Sequence, residues 1–277
     1  MTRPTASPRG SAAPPERESP LVLALDTSDL REALAWSAAA GEAAGMVKVG
    51  LELFGAEGPA AAAALANQGR RVMLDLKLHD IPATVAGAVR MAERAGAELV
   101  TVHALGGPAM LAAAVGAAGR CRIAAVTVLT SAGPADLEAA ALPPAEEAVP
   151  RLAELAVSAG CPALVCSPLE AATLRGLLGP TVELVCPGVR PAANRGGPPG
   201  RARRGPQPPA TAGAPPQQPP DRVPRWDGPD DQARVATPAA AMRAGASRIV
   251  VGRPITRAPD VGAAARAVRD QALVGIR

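Results

Sequence analysis

Eight short apolar runs, each followed by a helical pattern, predict an α/β chain closed into a (β/α)8 TIM barrel. Two further observations agree. The chain has 277 residues, near the about 250 that one such barrel takes. Its 48% hydrophobic content is largely aliphatic, with Trp36, Phe54 and Trp226 as the sole Trp, Phe or Tyr residues. A core of Val, Leu, Ile and Ala suits parallel strands buried on both faces. A doubly wound open sheet uses the same alternation, and periodicity alone leaves it open.

The elements follow in order. Leu21–Leu25 is a strand ended by Asp26, and Ser28 or Asp29 caps the helix that runs to Ala40. Met46–Gly50 is the second strand, with Lys48 inside it. An alanine-rich helix covers about Pro59 to Gln68 and stops at Gly69. The third strand is the run Arg71-Val72-Met73-Leu74-Asp75-Leu76-Lys77-Leu78. Pro82 opens a helix with Val85, Val89 and Ala92 on one face, ended by Gly96. Glu98–Val102, Ile123–Leu129, Ala163–Cys166, Val182–Cys186 and Arg248–Val251 are the remaining strands. Helices are predicted over Pro108–Ala118, Ala145–Ala159, Leu169–Leu178, Pro238–Ala244 and Asp260–Leu273. Arg248 reads as a solvated or strand-end charge.

Two segments stand outside this pattern. Residues 1–20 are rich in Pro, Ser, Ala and charge and read as a disordered tail, without the apolar stretch of a signal peptide. The single barrel domain, 21–277, is interrupted at about 192–230 by a Pro- and Arg-rich stretch with no hydrophobic period, read as a disordered excursion after the seventh strand.

The net charge of +4 is modest, and several arginines belong to that excursion, so no general nucleic-acid surface is indicated. No apolar run reaches the length of a membrane span. Cys121, Cys161, Cys166 and Cys186 form no C-x-x-C pair and read as buried reduced thiols, which fits a reducing cytoplasm. The two histidines, His79 and His103, make a poor metal-ligand set and are assigned structural roles.

Charged and polar residues recur at the C-terminal ends of different strands: Asp26, Lys48, Asp75 with Lys77 and Asp80, Thr130 with Ser131, Arg190, and Gly252 with Arg253. In a barrel these positions converge on one mouth, where active sites are built. On a regular strand, Asp75 and Lys77 point to the same side. Two such charges in an apolar strand are costly unless paired or working. Interleaving Lys48 and Lys77 among Asp26, Asp75 and Asp80 gives each charge an opposite neighbour. Glycine at 252 lets a ligand approach the backbone, and Arg253 offers a bidentate fork to phosphate.

Leu25-Asp26, Lys48-Val49-Gly50, Asp75-Leu76-Lys77-Leu78-His79-Asp80-Ile81-Pro82, Thr127-Val128-Leu129-Thr130-Ser131, Cys186-Pro187-Gly188-Val189-Arg190-Pro191, Asp231-Gln232-Ala233-Arg234 and Gly252-Arg253-Pro254-Ile255-Thr256 together resemble the orotidine 5′-phosphate decarboxylase family. The matches run in family order from about Leu21 to Asp260. The resemblance implies a carbon–carbon lyase of de novo pyrimidine biosynthesis that makes UMP without metal or organic cofactor. It implies Lys77 as proton donor to C6, Asp75 near the departing carboxylate, and Lys48 and Asp80 completing the array. It also implies a cytoplasmic homodimer with shared active sites, Asp80 and Thr84 coming from the partner subunit. Asp26, Thr84 and Thr130 are implied to bind the nucleotide, and Arg190, Gln232, Gly252 and Arg253 its 5′-phosphate end. The chain departs from the family pattern at Ala83, often polar in relatives, and in the long separation of Arg190 from Gln232.

Three rivals stand beside this reading. Sister enzymes such as keto-gulonate phosphate decarboxylases and hexulose phosphate synthases share the Asp-x-Lys-x-x-Asp core but use a divalent metal, which Lys48 would oppose. A barrel that binds a nucleotide without turning it over is the second. The third makes the arginine-rich stretch an RNA- or partner-binding arm, although it lacks interleaved aromatics for stacking.

Overall fold

The computed structural model describes residues 18–191 and 236–276. Eight strands, β1 Leu21–Ala24, β2 Met46–Val49, β3 Val72–Leu78, β4 Ala97–His103, β5 Arg122–Val126, β6 Ala163–Val165, β7 Glu183–Cys186 and β8 Arg248–Val251, pair in chain order and close into a barrel. Every pairing is parallel, including β1 with β8. This excludes the doubly wound sheet.

The helices are α1 Leu30–Ala40, α2 Leu51–Glu57, α3 Pro59–Asn67, α4 Pro82–Arg94, α5 Gly107–Gly116, α6 Pro134–Ala139, α7 Ala145–Ser158, α8 Ala171–Leu178, α9 Pro238–Arg243, α10 Arg253–Thr256 and α11 Val261–Val274. Asp29 caps α1 by accepting from the Arg31 N–H at 2.9 Å, and Thr237 caps α9 ahead of Pro238. Short α2, α6 and α10 were not expected, because four to seven residues carry too little periodicity to register. β5 ends at Val126 rather than Leu129, since the chain turns at Leu129, whose carbonyl accepts from Ala132 N–H at 3.0 Å.

The period of two along each strand divides the apolar residues into two cores. Val22, Ala24, Met46, Met73, Leu99, Ala124, Val126, Ala163, Val165, Val185 and Val250 form one cluster and fill the barrel. Leu21, Leu23, Val47, Val72, Leu74, Val100, Ile123 and their outward-facing neighbours join the helices in the larger one. Each fully buried Val, Leu or Ile contributes about 1.5–3 kcal/mol relative to exposure. All four cysteines are free and buried, and burial pushes the Cys121 and Cys161 thiols up to about 11.

The N-terminal ends of the strands hold a closed ring of alternating charge. Glu18 meets Arg71, Arg71 meets Glu98, and Glu98 lies 3.3 Å from Arg122. Arg122 meets Glu183, Glu183 meets Arg248, and Arg248 returns to Glu18 at 3.3 Å. Arg248 is thus a buried ring member, 9% exposed, and not a solvated charge. Ordered structure also starts before Leu21. Ser19 and Pro20 are buried, and the Ser19 hydroxyl donates to the Ala43 carbonyl at 2.6 Å. Residues 1–17 and the whole predicted excursion lie outside the described residues. Its described flanks are clamped together: Arg190 N–H donates to Ala236 O at 2.9 Å, and Ala236 N–H to Gly188 O at 3.1 Å.

Candidate active site

A cavity of about 740 Å³ opens at the C-terminal mouth of the barrel. Strand parity explains its polar lining. Met46 faces the barrel interior, so Lys48 two residues later faces it too, one layer nearer the mouth; Met73 and Asp75 repeat the pattern.

Lys48 Nζ lies 3.0 Å from Asp26 Oδ1 and 3.8 Å from Asp75 Oδ2. Lys77 Nζ donates to Asp75 Oδ1 at 2.9 Å. The result is an unbroken run Asp26–Lys48–Asp75–Lys77. Burial opposes the Lys48 charge, but Asp26 and Asp75 together outweigh it and hold the ammonium above the ordinary lysine value. Burial likewise pushes the Asp75 carboxyl up, but the charges of Lys48 and Lys77 and hydrogen bonds from Lys77 and Thr101 hold it below the ordinary range. Gly50 makes room for this cluster, since a Cβ there would sit 2.8 Å from Lys48 Nζ.

Asp75 and Lys77 meet, though not through a regular pleat. β3 pairs with β4 as Leu74↔Val100 and then Leu78↔Val102, so Asp75, Leu76 and Lys77 together oppose the single residue Thr101. The bulge puts Lys77 at φ +49°, a left-handed conformation unusual for a side-chain-bearing residue. Such strain costs on the order of 1–3 kcal/mol and persists where surrounding contacts hold it. Thr101, fully buried, accepts from the Lys77 N–H at 2.8 Å and donates its hydroxyl proton to Asp75 Oδ1 at 2.9 Å. Sequence reasoning does not single out Thr101 as a site residue. Its one sequence signal was a hydroxyl amid the apolar run Leu99-Val100-Thr101-Val102.

Thr130, Ser131, Arg190, Gly252 and Arg253 line the same cavity, along with Pro187, Gly188 and Val189. A Cβ at Gly252 would meet Ala24 Cβ and Asp26 Oδ2, each at 3.2 Å, so the backbone there approaches the site closely. Asp80 and Thr84 do not line this chain's own cavity. Both are exposed, and Asp80 accepts from the Ile81 N–H at 2.6 Å. Gln232 lies outside the described residues. His79 and His103 stack with ring centroids 5.5 Å apart, and burial, His79 and Lys77 keep the His103 pKa low. Among the described residues, no group of three or more His, Cys, Asp or Glu is arranged to hold a metal ion.

A closed eight-stranded parallel barrel with two lysines interleaved with carboxylates at its C-terminal mouth defines a (β/α)8 barrel enzyme. The model of the Orotidine 5′-phosphate decarboxylase / HUMPS family matches residues 19–213 and 219–268, and the chain belongs to that family. It is 49% identical over 251 residues to an orotidine 5′-phosphate decarboxylase of Anaeromyxobacter sp. (strain K), covering 88% of this chain and 94% of the relative. It is 48% identical over 252 residues to that of Thermobifida fusca (strain YX), covering 90% and 94%. Among solved structures, orotidine 5′-phosphate decarboxylase from Lactobacillus acidophilus superposes with a TM-score of 0.71 at 32% identity, covering 92% of this chain and 99% of that one.

Proposed function

We propose that the chain decarboxylates orotidine 5′-phosphate to UMP, with Lys77 as the proton donor. The observation that carries this reading is the Asp26–Lys48–Asp75–Lys77 run at the mouth of a barrel of this family. The C6–carboxylate bond breaks, carbon dioxide leaves, and its electron pair stays on C6. The Lys77 ammonium meets that charge as it develops and then donates a proton to C6. The neutral amine recovers its proton from solvent. Asp75 and Lys48, both held charged, keep the ammonium in place and need not reorganise as the reaction proceeds.

The 5′-phosphate end belongs to Arg190, Gly252 and Arg253, and the family resemblance assigns it Gln232 as well, which lies outside the described residues; Asp26 and Thr130 bind nearer the nucleoside. The cavity that Asp26, Thr130, Arg190, Gly252 and Arg253 share supports their joint use on one substrate. Binding energy gained at the phosphate, far from C6, can be spent on closing the site.

A homodimer completes the site, each subunit lending Asp80 and Thr84 to its partner. Their position outside their own cavity supports this, as do exposed apolar residues after three consecutive strands: Leu51 at 63%, Ile81 at 66% and Leu105 at 41%. The reaction needs no metal or organic cofactor, nucleic acid or membrane. The Lys48 ammonium between Asp26 and Asp75 occupies the place a divalent cation would contest in a metal-dependent sister enzyme. Four free, buried thiols support a cytoplasmic location.

The test is spectrophotometric loss of orotidine 5′-phosphate in the presence of a chelator, followed by mixing Lys77→Ala with Asp80→Ala protein. Wild type is expected to turn over with the chelator present. Each variant is nearly dead alone. After subunit exchange, half of the dimers are mixed and hold one intact site, so activity recovers to roughly a quarter of wild type. Turnover that requires added metal would overturn the mechanism, and no recovery after verified exchange would overturn the shared site.

A further inference from the structure

We propose that Thr101 is the positioning residue of the site, fixing the Lys77 backbone and the Asp75 carboxylate through one buried hydroxyl. The inference rests on the decarboxylase reading. Three residues of β3 face this one residue of β4, so the sheet ladder is interrupted where the site needs its two charges side by side. Thr101 takes over the missing ladder contacts. Its oxygen accepts from the Lys77 N–H at 2.8 Å, which ties down a left-handed residue. Its proton goes to Asp75 Oδ1 at 2.9 Å, the same oxygen that accepts from Lys77 Nζ.

The pair of hydrogen bonds has a chemical consequence. When Lys77 gives its proton away, Asp75 Oδ1 loses an ionic partner but keeps the Thr101 donor, while Oδ2 still faces Lys48. The carboxylate therefore neither rotates nor takes up the departing proton. A hydroxyl suits this place because its one oxygen accepts from one group and donates to the other at once. Thr101 is fully buried, so a group of the wrong polarity there has no water to compensate it.

The experiment compares Thr101→Val, Thr101→Ala and Thr101→Ser. Valine keeps the shape and removes both hydrogen bonds, alanine removes them with less bulk should valine fail to fold, and serine keeps the hydroxyl. Loss of the hydroxyl is expected to lower kcat by about tenfold or more with KM changed less than about threefold, because the ammonium is displaced from the reacting carbon while the phosphate contacts persist. Serine is expected to restore most of kcat. Independently of turnover, carbon-13 NMR titration of the Asp75 carboxyl, which faces Lys48, Lys77 and Thr101, should move to higher pH in the valine and alanine variants. An unmoved titration with kcat preserved, or a serine variant as impaired as valine, would overturn the role of Thr101. Absence of turnover by wild type would overturn the decarboxylase reading, and the titration would still decide the role of Thr101.

Discussion

Both ends of the barrel carry alternating charge, and the two arrangements differ in every respect that matters for chemistry. At the N-terminal end, Glu18, Arg71, Glu98, Arg122, Glu183 and Arg248 close on themselves, and each charge has two opposite neighbours. Arginine suits this use, since its planar fork engages carboxylates with two donors and stays charged. At the mouth the cations are lysines, compact point charges on flexible stems, and the run Asp26–Lys48–Asp75–Lys77 is open at its end. Lys77 has one carboxylate at 2.9 Å and otherwise faces a cavity. A ring with every charge satisfied stabilises, whereas an open run with one ammonium facing a cavity can act on a substrate.

The largest expected effect breaks the open run. Lys77→Ala should lower kcat by more than about a hundredfold, at least about 3 kcal/mol of transition-state stabilisation. The folded protein should persist, because the lost side chain lines a cavity. Turnover within tenfold of wild type would show that another group protonates C6.

Breaking the ring should do the reverse. Glu183→Ala leaves Arg122 with Glu98 alone and Arg248 with Glu18 alone, and should cost about 1–3 kcal/mol of stability at pH 7, read from urea denaturation. As the site is at the opposite end of the barrel, kcat should stay within about twofold. The pH dependence follows from the carboxyl itself. Burial pushes Glu183 up, but the charges and hydrogen bonds of Arg248 and Arg122 outweigh it, so its folded pKa is depressed. A depressed carboxyl contributes its stability in full above its unfolded value, about 4.3 for glutamate, and loses it as pH falls through the folded value. The difference between wild type and Glu183→Ala should therefore narrow below about pH 4. A constant difference down to pH 2 would mean that the lost stability came from packing and not from charge.

The smallest effect is expected where neither arrangement is touched. Gly196–Trp226 falls between flanks that the Gly188–Arg190 and Ala236 hydrogen bonds already hold together. Replacing it by a short glycine linker shortens the connection from roughly forty residues to roughly ten, worth at most about 1.2 kcal/mol in loop-closure entropy. The melting temperature should hold or rise slightly. kcat should survive, and KM should fall or stay level. A clear drop in melting temperature would show that the segment packs on the barrel.

Much of this was legible in the chain. Alternation of apolar runs with helical patterns fixed element order, because parallel strands need crossovers and helices are the usual crossover. The places of Asp26, Lys48, Asp75, Lys77, Thr130, Arg190 and Arg253 at or near the C-terminal ends of strands put them at one mouth, since a barrel gathers those ends. Capping chemistry at Asp29 and Thr237 set helix starts within a residue or so. These are local properties, carried by residues a few positions apart.

Tertiary structure decided the rest. Thr101 serves the site because β3 bulges against it, and that register is a property of two strands, with the bonded residues 24 and 26 positions apart. The ring joins Glu18 to Arg248 across 230 positions. Charges at the starts of β5, β7 and β8 were a faint sign of it, but no local spacing says that they meet. Barrel closure brings the N-terminal ends of the strands to one rim and turns separate strand-end charges into a cycle. The sequence determined which residues stand at the strand ends, and only closure of the barrel decided which of them touch.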